Sequence, residues 1–138
     1  MEIKKVVVIG SGTMGSGIAA HLCNAGVPVT LLDLTTEISK KARERIHKSR
    51  PPLLIDKSTI NNINVGNIEE NFDVVKDADW VVEAVVERID IKHNIYEKIF
   101  KNRKKGAIVS SNTSSIPIKV LSEKLNDEEK KDFCITHF

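Results

Sequence analysis

VVVIGSGTMG, residues 6–15, joins an unbroken apolar run to a glycine-rich turn, and a helical pattern follows directly. The run is too short for a helix buried on all sides, and its β-branched residues favour a buried strand. Gly10, Gly12 and Gly15 fit the pattern G-x-G-x-x-G. In that pattern the glycines allow a tight turn, the approach of a pyrophosphate, and close packing of the helix on the strand. The stretch therefore predicts a dinucleotide site at the N-terminus of a helix, where unpaired N–H groups attract phosphate.

A second apolar run, residues 27–32, ends at Asp33, eighteen residues after Gly15. An acid at the tip of the second strand is placed to accept hydrogen bonds from the adenosine ribose hydroxyls. The same carboxylate would repel a 2′-phosphate, and no arginine follows before Arg43. We therefore expect NAD rather than NADP. An ordinary strand–turn–helix with a turn aspartate is the alternative.

Composition limits the class of protein. The 138 residues suffice for one domain, and the 21 basic and 19 acidic residues nearly cancel. This balance argues against nucleic acid or a membrane surface as a partner. Cys23 and Cys134 have no motif spacing, so we expect reduced thiols. With no apolar stretch of transmembrane length and no signal peptide before the first strand, we expect a cytoplasmic protein.

Helical patterns follow the first two strands. Gly26 and Pro28 end the first helix, and Thr35 or Thr36 can cap the second, which ends before Pro51. Their expected buried residues are Met14, Ile18, Leu22 and Ala25 in the first helix and Ile38, Ala42 and Ile46 in the second.

Weaker signals cover residues 53–78. Asp56 can cap a short turn through Ile60, and residues 64–67 fit a short strand. Residues 69–78 fit a short helix with its apolar side inward, namely Phe72, Val75 and Ala78.

Residues 79–87 form an apolar run that predicts a parallel strand buried on both faces. Glu83 interrupts it, and a buried carboxylate needs hydrogen-bond partners or a shifted pKa. We expect Glu83 to lie near solvent at the end of the strand; a catalytic role is the alternative.

The last third continues the alternation of helices and strands. The predicted elements are a helix from Asp90 to Gly106, a strand at 107–110, a helix that Ser115 caps and Pro117 opens, a polar loop at 126–131 and a strand at 133–138. The expected inward residues are Ile91, Ile95, Ile99, Ile118, Leu121 and Leu125.

This alternation predicts a Rossmann-type α/β fold: a doubly wound, mostly parallel sheet with helices on both faces. Ligands of such folds bind beyond the carboxyl ends of the strands. Five clusters fall at those ends: residues 10–15, Asp33, residues 85–87, residues 111–115 and His137. Their convergence predicts one site.

With these motifs the chain resembles, almost end to end, the N-terminal NAD-binding domain of the 3-hydroxyacyl-CoA dehydrogenases. The resemblance rests on GSGTMGSGIA at 10–19, Asp33, EAVVE at 83–87 with Lys92, SNTSS at 111–115 and THF at 136–138. EAVVE and SNTSS are more specific than the glycine pattern. The resemblance implies an NAD-dependent enzyme of fatty-acid β-oxidation that converts (S)-3-hydroxyacyl-CoA to 3-ketoacyl-CoA.

The resemblance also implies roles for individual residues. Glu87 and Lys92 would border the nicotinamide ribose, while Asn112 and Ser114 would line the nicotinamide and substrate pocket. His137 would be the catalytic base, since imidazole can take the hydroxyl proton as hydride leaves, and Ser114 can hydrogen-bond the same oxygen. A histidine of the terminal strand with no partner is the alternative. The implied cofactor-binding set is Gly10, Gly12, Thr13, Met14, Gly15, Asp33, Glu87, Lys92 and Asn112; the implied catalytic pair is His137 and Ser114, with no metal.

The chain differs in two places from the family that it resembles. It ends at Phe138 within a His-Phe-Phe-Asn-Pro motif, so we expect one domain, residues 1–138, without the orienting glutamate and the helical C-terminal domain that closes the acyl-CoA cleft. The stretch at 33–65 is also shorter than in many members, where it contacts coenzyme A. We expect NAD binding, little turnover and a tendency to form homo-oligomers. The rivals are a non-catalytic NAD-binding or interaction module and a related dehydrogenase of free hydroxy acids.

Overall fold

A parallel sheet of six strands forms the centre of the computed structural model, which describes residues 1–138. The strands are β1 (Val6–Ile9), β2 (Val29–Asp33), β3 (Ile63–Asn67), β4 (Trp80–Glu83), β5 (Ile108–Ser111) and β6 (Phe133–Ile135). Their order is β3-β2-β1-β4-β5-β6, and every neighbouring pair is parallel. This order confirms the predicted Rossmann-type fold, in which the direction of winding reverses between β1 and β4.

Helices connect the strands. They are α1 (Thr13–Asn24), α2 (Thr36–Lys48), α3 (Ile89–Asn102), α4 (Ile118–Leu121) and α5 (Asp127–Lys131), with 3-10 helices at Lys57–Asn62 and Phe72–Asp77. None of them combines the length and the apolar character that a membrane crossing requires.

Two apolar cores cover the two faces of the sheet. Successive residues of β1 point to opposite faces, so Val6 and Val8 enter one core while Val7 and Ile9 enter the other. Residues of α1 and α2 complete the first core, and residues of α3 and α4 complete the second. Because both faces are buried, β1 is apolar at every position instead of alternating.

Several apolar residues predicted to face the core are exposed. Met14, Ile38 and Ile118 are 43%, 40% and 46% exposed, and Ala25, just beyond α1, is exposed too. The first three lie in the first turn of their helices, where the chain enters each helix from a loop. Later positions of the predicted inward faces are buried as predicted: Ile18, Leu22, Ala42, Ile46, Ile95, Ile99 and Leu121.

Strand β4 ends at Glu83, four residues earlier than predicted. The N–H of Val85 donates to the Glu83 carboxylate (2.9 Å) and the N–H of Arg88 donates to the carbonyl of Val86 (2.7 Å). These local bonds turn the chain out of the sheet, although the sequence remains apolar.

The segment after β5 differs most from prediction. Ser115 does not cap a helix, because its hydroxyl donates to Glu87 (3.0 Å) and α4 begins only after Pro117. The predicted polar loop at 126–131 contains α5, which the reciprocal capping box of Asn126 and Glu129 starts. Acidic residues in its first turn and lysines in its last complement the helix dipole, so a polar segment is helical. The last strand, β6, is half its predicted length.

The weak signals of residues 53–78 are confirmed with small changes. Asp56 accepts a hydrogen bond from the N–H of Ser58 (2.9 Å) and begins a 3-10 helix, and β3 lies where a short strand was expected. The predicted short helix is a 3-10 helix with its apolar side buried, including Phe72, Val75 and the following Ala78. Thr35, rather than Thr36, caps α2.

Candidate functional site

The glycine turn between β1 and α1 is dictated by close contacts at two of its three glycines. Gly10 has a φ of +101°, and a Cβ there would lie 2.4 Å from the carbonyl oxygen of Ala84. A Cβ on Gly15 would lie 1.8 Å from the carbonyl oxygen of Gly10. Gly12 is different, because a Cβ would meet no atom within 4 Å. Its surroundings leave open space at the start of α1, which suits an approaching pyrophosphate.

Asp33, the last residue of β2, is held against this turn. Its Oδ2 atom accepts hydrogen bonds from the N–H (2.7 Å) and hydroxyl (2.5 Å) of Ser11. Its Oδ1 atom accepts one from the N–H of Leu34 (2.7 Å). A carboxylate has about four acceptor sites. Asp33 therefore retains room for one further donor, such as a ribose hydroxyl.

Arg45 of α2 also reaches the turn, a contact that no sequence pattern predicted. Its guanidinium donates to the carbonyl of Ser11 (3.0 Å), which also accepts from the hydroxyl of Ser16 (3.0 Å). Arg43, the first arginine after Asp33, instead donates to the carbonyl of Ile63 (3.2 Å). No local pattern could signal the Arg45 contact, since it joins residues 34 positions apart.

A cleft of about 280 Å3 lies at the carboxyl edge of the sheet, beside the glycine turn. Two of its walls are Ala84 and Val85 of the β4–α3 connection. The other lining residues are all ones that the sequence analysis named: Met14, Glu87, Lys92, Asn112, Ser114 and His137. Residues from α1, the β4–α3 connection, α3, the loop after β5 and the end of the chain thus meet around one space.

Glu83 is wholly buried beneath the cleft, so the expectation that it lies near solvent is wrong. Its Oε2 atom accepts from the Lys92 ammonium (2.6 Å) and from the N–H of Val85 (2.9 Å). Its Oε1 atom accepts from the hydroxyls of Tyr96 (2.5 Å) and Ser111 (2.8 Å). Burial, together with the Glu83 charge, raises the pKa of Tyr96 well above its ordinary value, so this hydroxyl stays a donor.

Lys92 links the buried Glu83 to the half-exposed Glu87. Its side chain is 1% exposed and donates to Oε1 of Glu87 at 2.9 Å. Oε2 of Glu87 accepts from the hydroxyls of Thr113 (2.7 Å) and Ser115 (3.0 Å). Partial burial opposes ionisation of Glu87, but the hydrogen bonds from Thr113, Lys92 and Ser115 and the Lys92 charge hold its pKa below its ordinary value. Glu87 is therefore a fixed carboxylate at the cleft.

His137 lines the cleft, and its ring has no hydrogen-bond partner. It is exposed, and among the histidines only His93 forms a hydrogen bond through its ring, to the carbonyl of Val120. The backbone on either side of His137 is anchored, because the N–H of Thr136 donates to the carbonyl of Ser111 (3.0 Å) and the N–H of Phe138 donates to the Asn112 side chain (3.2 Å). An exposed imidazole in this position can exchange a proton with a bound alcohol.

Comparison with known proteins identifies relatives along the whole chain. Residues 5–138 match the family model described as the NAD-binding domain of 3-hydroxyacyl-CoA dehydrogenase. A fatty acid oxidation complex trifunctional enzyme of Rickettsia felis is 46% identical over 144 residues, covering 99% of this chain and 20% of that protein. A 3-hydroxyacyl-CoA dehydrogenase of Deinococcus radiodurans is 43% identical over 145 residues, covering 100% of this chain and 42% of that protein.

Among solved structures, the (S)-3-hydroxybutyryl-CoA dehydrogenase of Ralstonia eutropha superposes with a TM-score of 0.82 at 29% identity, covering 99% of this chain and 50% of that one. The chain thus spans half or less of the length of each of these relatives.

Proposed function

The chain belongs to the 3-hydroxyacyl-CoA dehydrogenase family, as its NAD-binding domain, and from this membership we propose that it serves the oxidation of (S)-3-hydroxyacyl-CoA to 3-ketoacyl-CoA. Its cofactor is NAD. The names of the relatives support an acyl-CoA substrate and a role in fatty-acid β-oxidation. Because those relatives are longer, we also propose that a helical C-terminal domain completes the acyl-CoA site.

The glycine turn and Asp33 form the proposed site for the adenosine half of NAD. The open space over Gly12 and the N-terminus of α1, where Thr13 begins the helix, suit the pyrophosphate. The spare acceptor capacity of Asp33 suits a ribose hydroxyl, which would donate to its carboxylate.

The cleft forms the proposed site for the nicotinamide half. The observation that carries the proposal is that six residues named from sequence line this one space, although they come from five separate segments. Glu87 and Lys92 would hold the ribose, Asn112 would contact the nicotinamide, and Met14 would close the side next to the glycine turn.

Two residues of the cleft would act on the substrate. When bound, NAD supplies the acceptor for the hydride that leaves the substrate carbon. His137 would take the hydroxyl proton, and Ser114, exposed beside it, would donate a hydrogen bond to the same oxygen and orient it. We expect the 138-residue chain to turn over little acyl-CoA, because an imidazole without an orienting carboxylate is a poorly placed base.

Calorimetric titration with NAD tests the proposed cofactor site. A hydrogen bond to a charged group contributes about 1.5–3 kcal/mol, so Asp33→Ala should weaken NAD binding roughly 10- to 100-fold. NADP should bind much more weakly than NAD to the unchanged protein. Asp73→Ala, which removes an exposed acid from the 3-10 helix Phe72–Asp77, is the matched control and should bind NAD normally.

Each rival function predicts a different result. Failure of the unchanged chain to bind NAD would refute the proposed site. NAD binding with no acetoacetyl-CoA reduction, even after a separately made C-terminal half of a relative is added, would favour a non-catalytic module. Activity on free 3-hydroxybutyrate but not on its CoA thioester would favour a dehydrogenase of free hydroxy acids.

A further inference from the structure

Glu83 forms more hydrogen bonds through its side chain than any other residue, although it does not line the cleft. Its carboxylate accepts four hydrogen bonds, from Val85 in the β4–α3 connection, Lys92 and Tyr96 in α3, and Ser111 in β5. No buried side-chain polar atom in this network or elsewhere lacks a partner. A carboxylate taken fully out of water is costly unless such bonds replace its hydration. The presence of a buried carboxylate at this position therefore needs an explanation.

The link from Glu83 to the cleft is Lys92. An ammonium has three donors, and two of them go to Glu83 and Glu87. Lys92 also lines the cleft, so the two carboxylates hold an ammonium that forms part of the cleft wall. The lysine therefore lies between a buried carboxylate, which accepts three further hydrogen bonds, and an exposed carboxylate, which accepts two further hydrogen bonds from Thr113 and Ser115.

We infer that Glu83 is a positioning residue for the nicotinamide half of the cofactor site. It holds Lys92 at the floor of the cleft, and through Lys92 it holds Glu87. This inference rests on the proposed function, since it assumes that Lys92 and Glu87 contact the nicotinamide ribose. Glu83 itself touches neither cofactor nor substrate, because it is fully buried and does not line the cleft.

A purely structural role is the alternative, in which Glu83 only ties α3 and β5 to β4. Two ligands separate these roles. ADP shares the adenosine and pyrophosphate of NAD but lacks the nicotinamide riboside. A positioning role at the cleft changes NAD binding alone, whereas a role in the fold as a whole changes the binding of both ligands together.

The decisive variant is Glu83→Gln, which keeps the shape of the side chain and removes the charge that faces Lys92. We expect calorimetry to show NAD binding weakened about tenfold, or about 1.4 kcal/mol, with ADP binding unchanged within about twofold. The matched control is Asp132→Asn. It removes the carboxylate from the partly buried ion pair that Asp132 forms with Arg103 (2.7 Å). This pair lies away from the cleft, so Asp132→Asn should change the affinity for neither NAD nor ADP.

Four results would overturn the inference. Equal weakening of NAD and ADP in Glu83→Gln would assign Glu83 to the fold as a whole, and no weakening of either would leave it without a role in binding. If the unchanged chain bound ADP as tightly as NAD, the cleft would make no contact with the nicotinamide half, although the adenosine site would stand. Binding of neither ligand would refute the proposed function itself and the inference with it.

Tyr96→Phe provides the test if Glu83→Gln does not fold. It removes one of the two donors to Oε1 and keeps the ring that contacts Phe133 edge-on. The ratio of NAD to ADP affinity should fall about threefold, a smaller change because Ser111 still holds the same oxygen. An unchanged ratio in this variant would overturn the inference.

Discussion

Gly12→Ala should separate cofactor binding from folding more cleanly than any other change in the glycine turn. A Cβ at Gly12 would meet no protein atom within 4 Å, so the free energy of unfolding should change by less than about 1 kcal/mol. The same methyl group would occupy the space through which the pyrophosphate approaches. Forcing one extra carbon into a close contact costs about 1–3 kcal/mol, which corresponds to a roughly 5- to 150-fold weaker Kd for NAD.

The assays are urea denaturation, followed by the fluorescence of Trp80, and calorimetric NAD titration. Trp80 is the only tryptophan, so the signal reports a single position in β4. Gly17→Ala is the matched control, because its Cβ would also meet no atom within 4 Å but lies within α1, where it should raise stability by about 0.5–1 kcal/mol and leave NAD binding unchanged.

Gly15→Ala gives the opposite contrast. Its Cβ would lie 1.8 Å from a backbone oxygen, so the main effect of this variant should be a lower free energy of unfolding. If Gly12→Ala bound NAD as tightly as the unchanged protein, the reasoning about the glycine turn would be refuted. Loss of stability in Gly12→Ala as large as in Gly15→Ala would refute it too.

Two further predictions concern stability. The Lys104 ammonium and two backbone N–H groups hold the pKa of Asp79 at about 2, below its ordinary value of 3.8. The stabilisation from this carboxylate is therefore complete above about pH 4 and is lost as the pH falls towards 2. Between pH 4 and pH 2 the urea midpoint of Asp79→Asn should fall less than that of the unchanged protein. An equal fall in both would show that Asp79 is not the source of this pH dependence. Ile99→Ala should lower the free energy of unfolding by about 2–5 kcal/mol because Ile99 is wholly buried. Ile118→Ala should lower it by about 0.5 kcal/mol or less, because Ile118 is exposed. Equal losses in urea denaturation would contradict the placement of Ile118 at the surface.

The turn at Gly10 and Gly15 shows why the fold could be predicted from sequence. Most of the requirement for glycine is local, since it arises from a positive φ at Gly10 and from the contact between Gly15 and Gly10 in the same strand–turn–helix unit; only the contact of Gly10 with Ala84 comes from another segment. The apolar run of β1 is equally local, because a strand buried on both faces has no polar alternation. Once strands and helices alternate, parallel pairing leaves few possible arrangements.

Exposure at the helix starts could not be predicted in the same way. Helical periodicity assigns Met14 and Ile38 to the same faces as Ile18 and Ala42, and in each case only the second residue of the pair is buried. The difference lies in which turns of the helix the rest of the protein covers, which periodicity does not contain. The helix at Asp127–Lys131 was missed for a related reason, since its caps and charges stabilise it without an apolar face.

The sequence by itself determined the order of strands and helices, the glycine turn, the acid that ends β2 and the identity of the residues around the cleft. Each of these depends on neighbours in the chain or on one short motif. Only the tertiary structure decided that Glu83 is buried against Lys92, Tyr96 and Ser111, and that Arg45 reaches the carbonyl of Ser11. Such contacts join residues on different elements, and they exist only when parallel strands bring their carboxyl ends to one edge of the sheet.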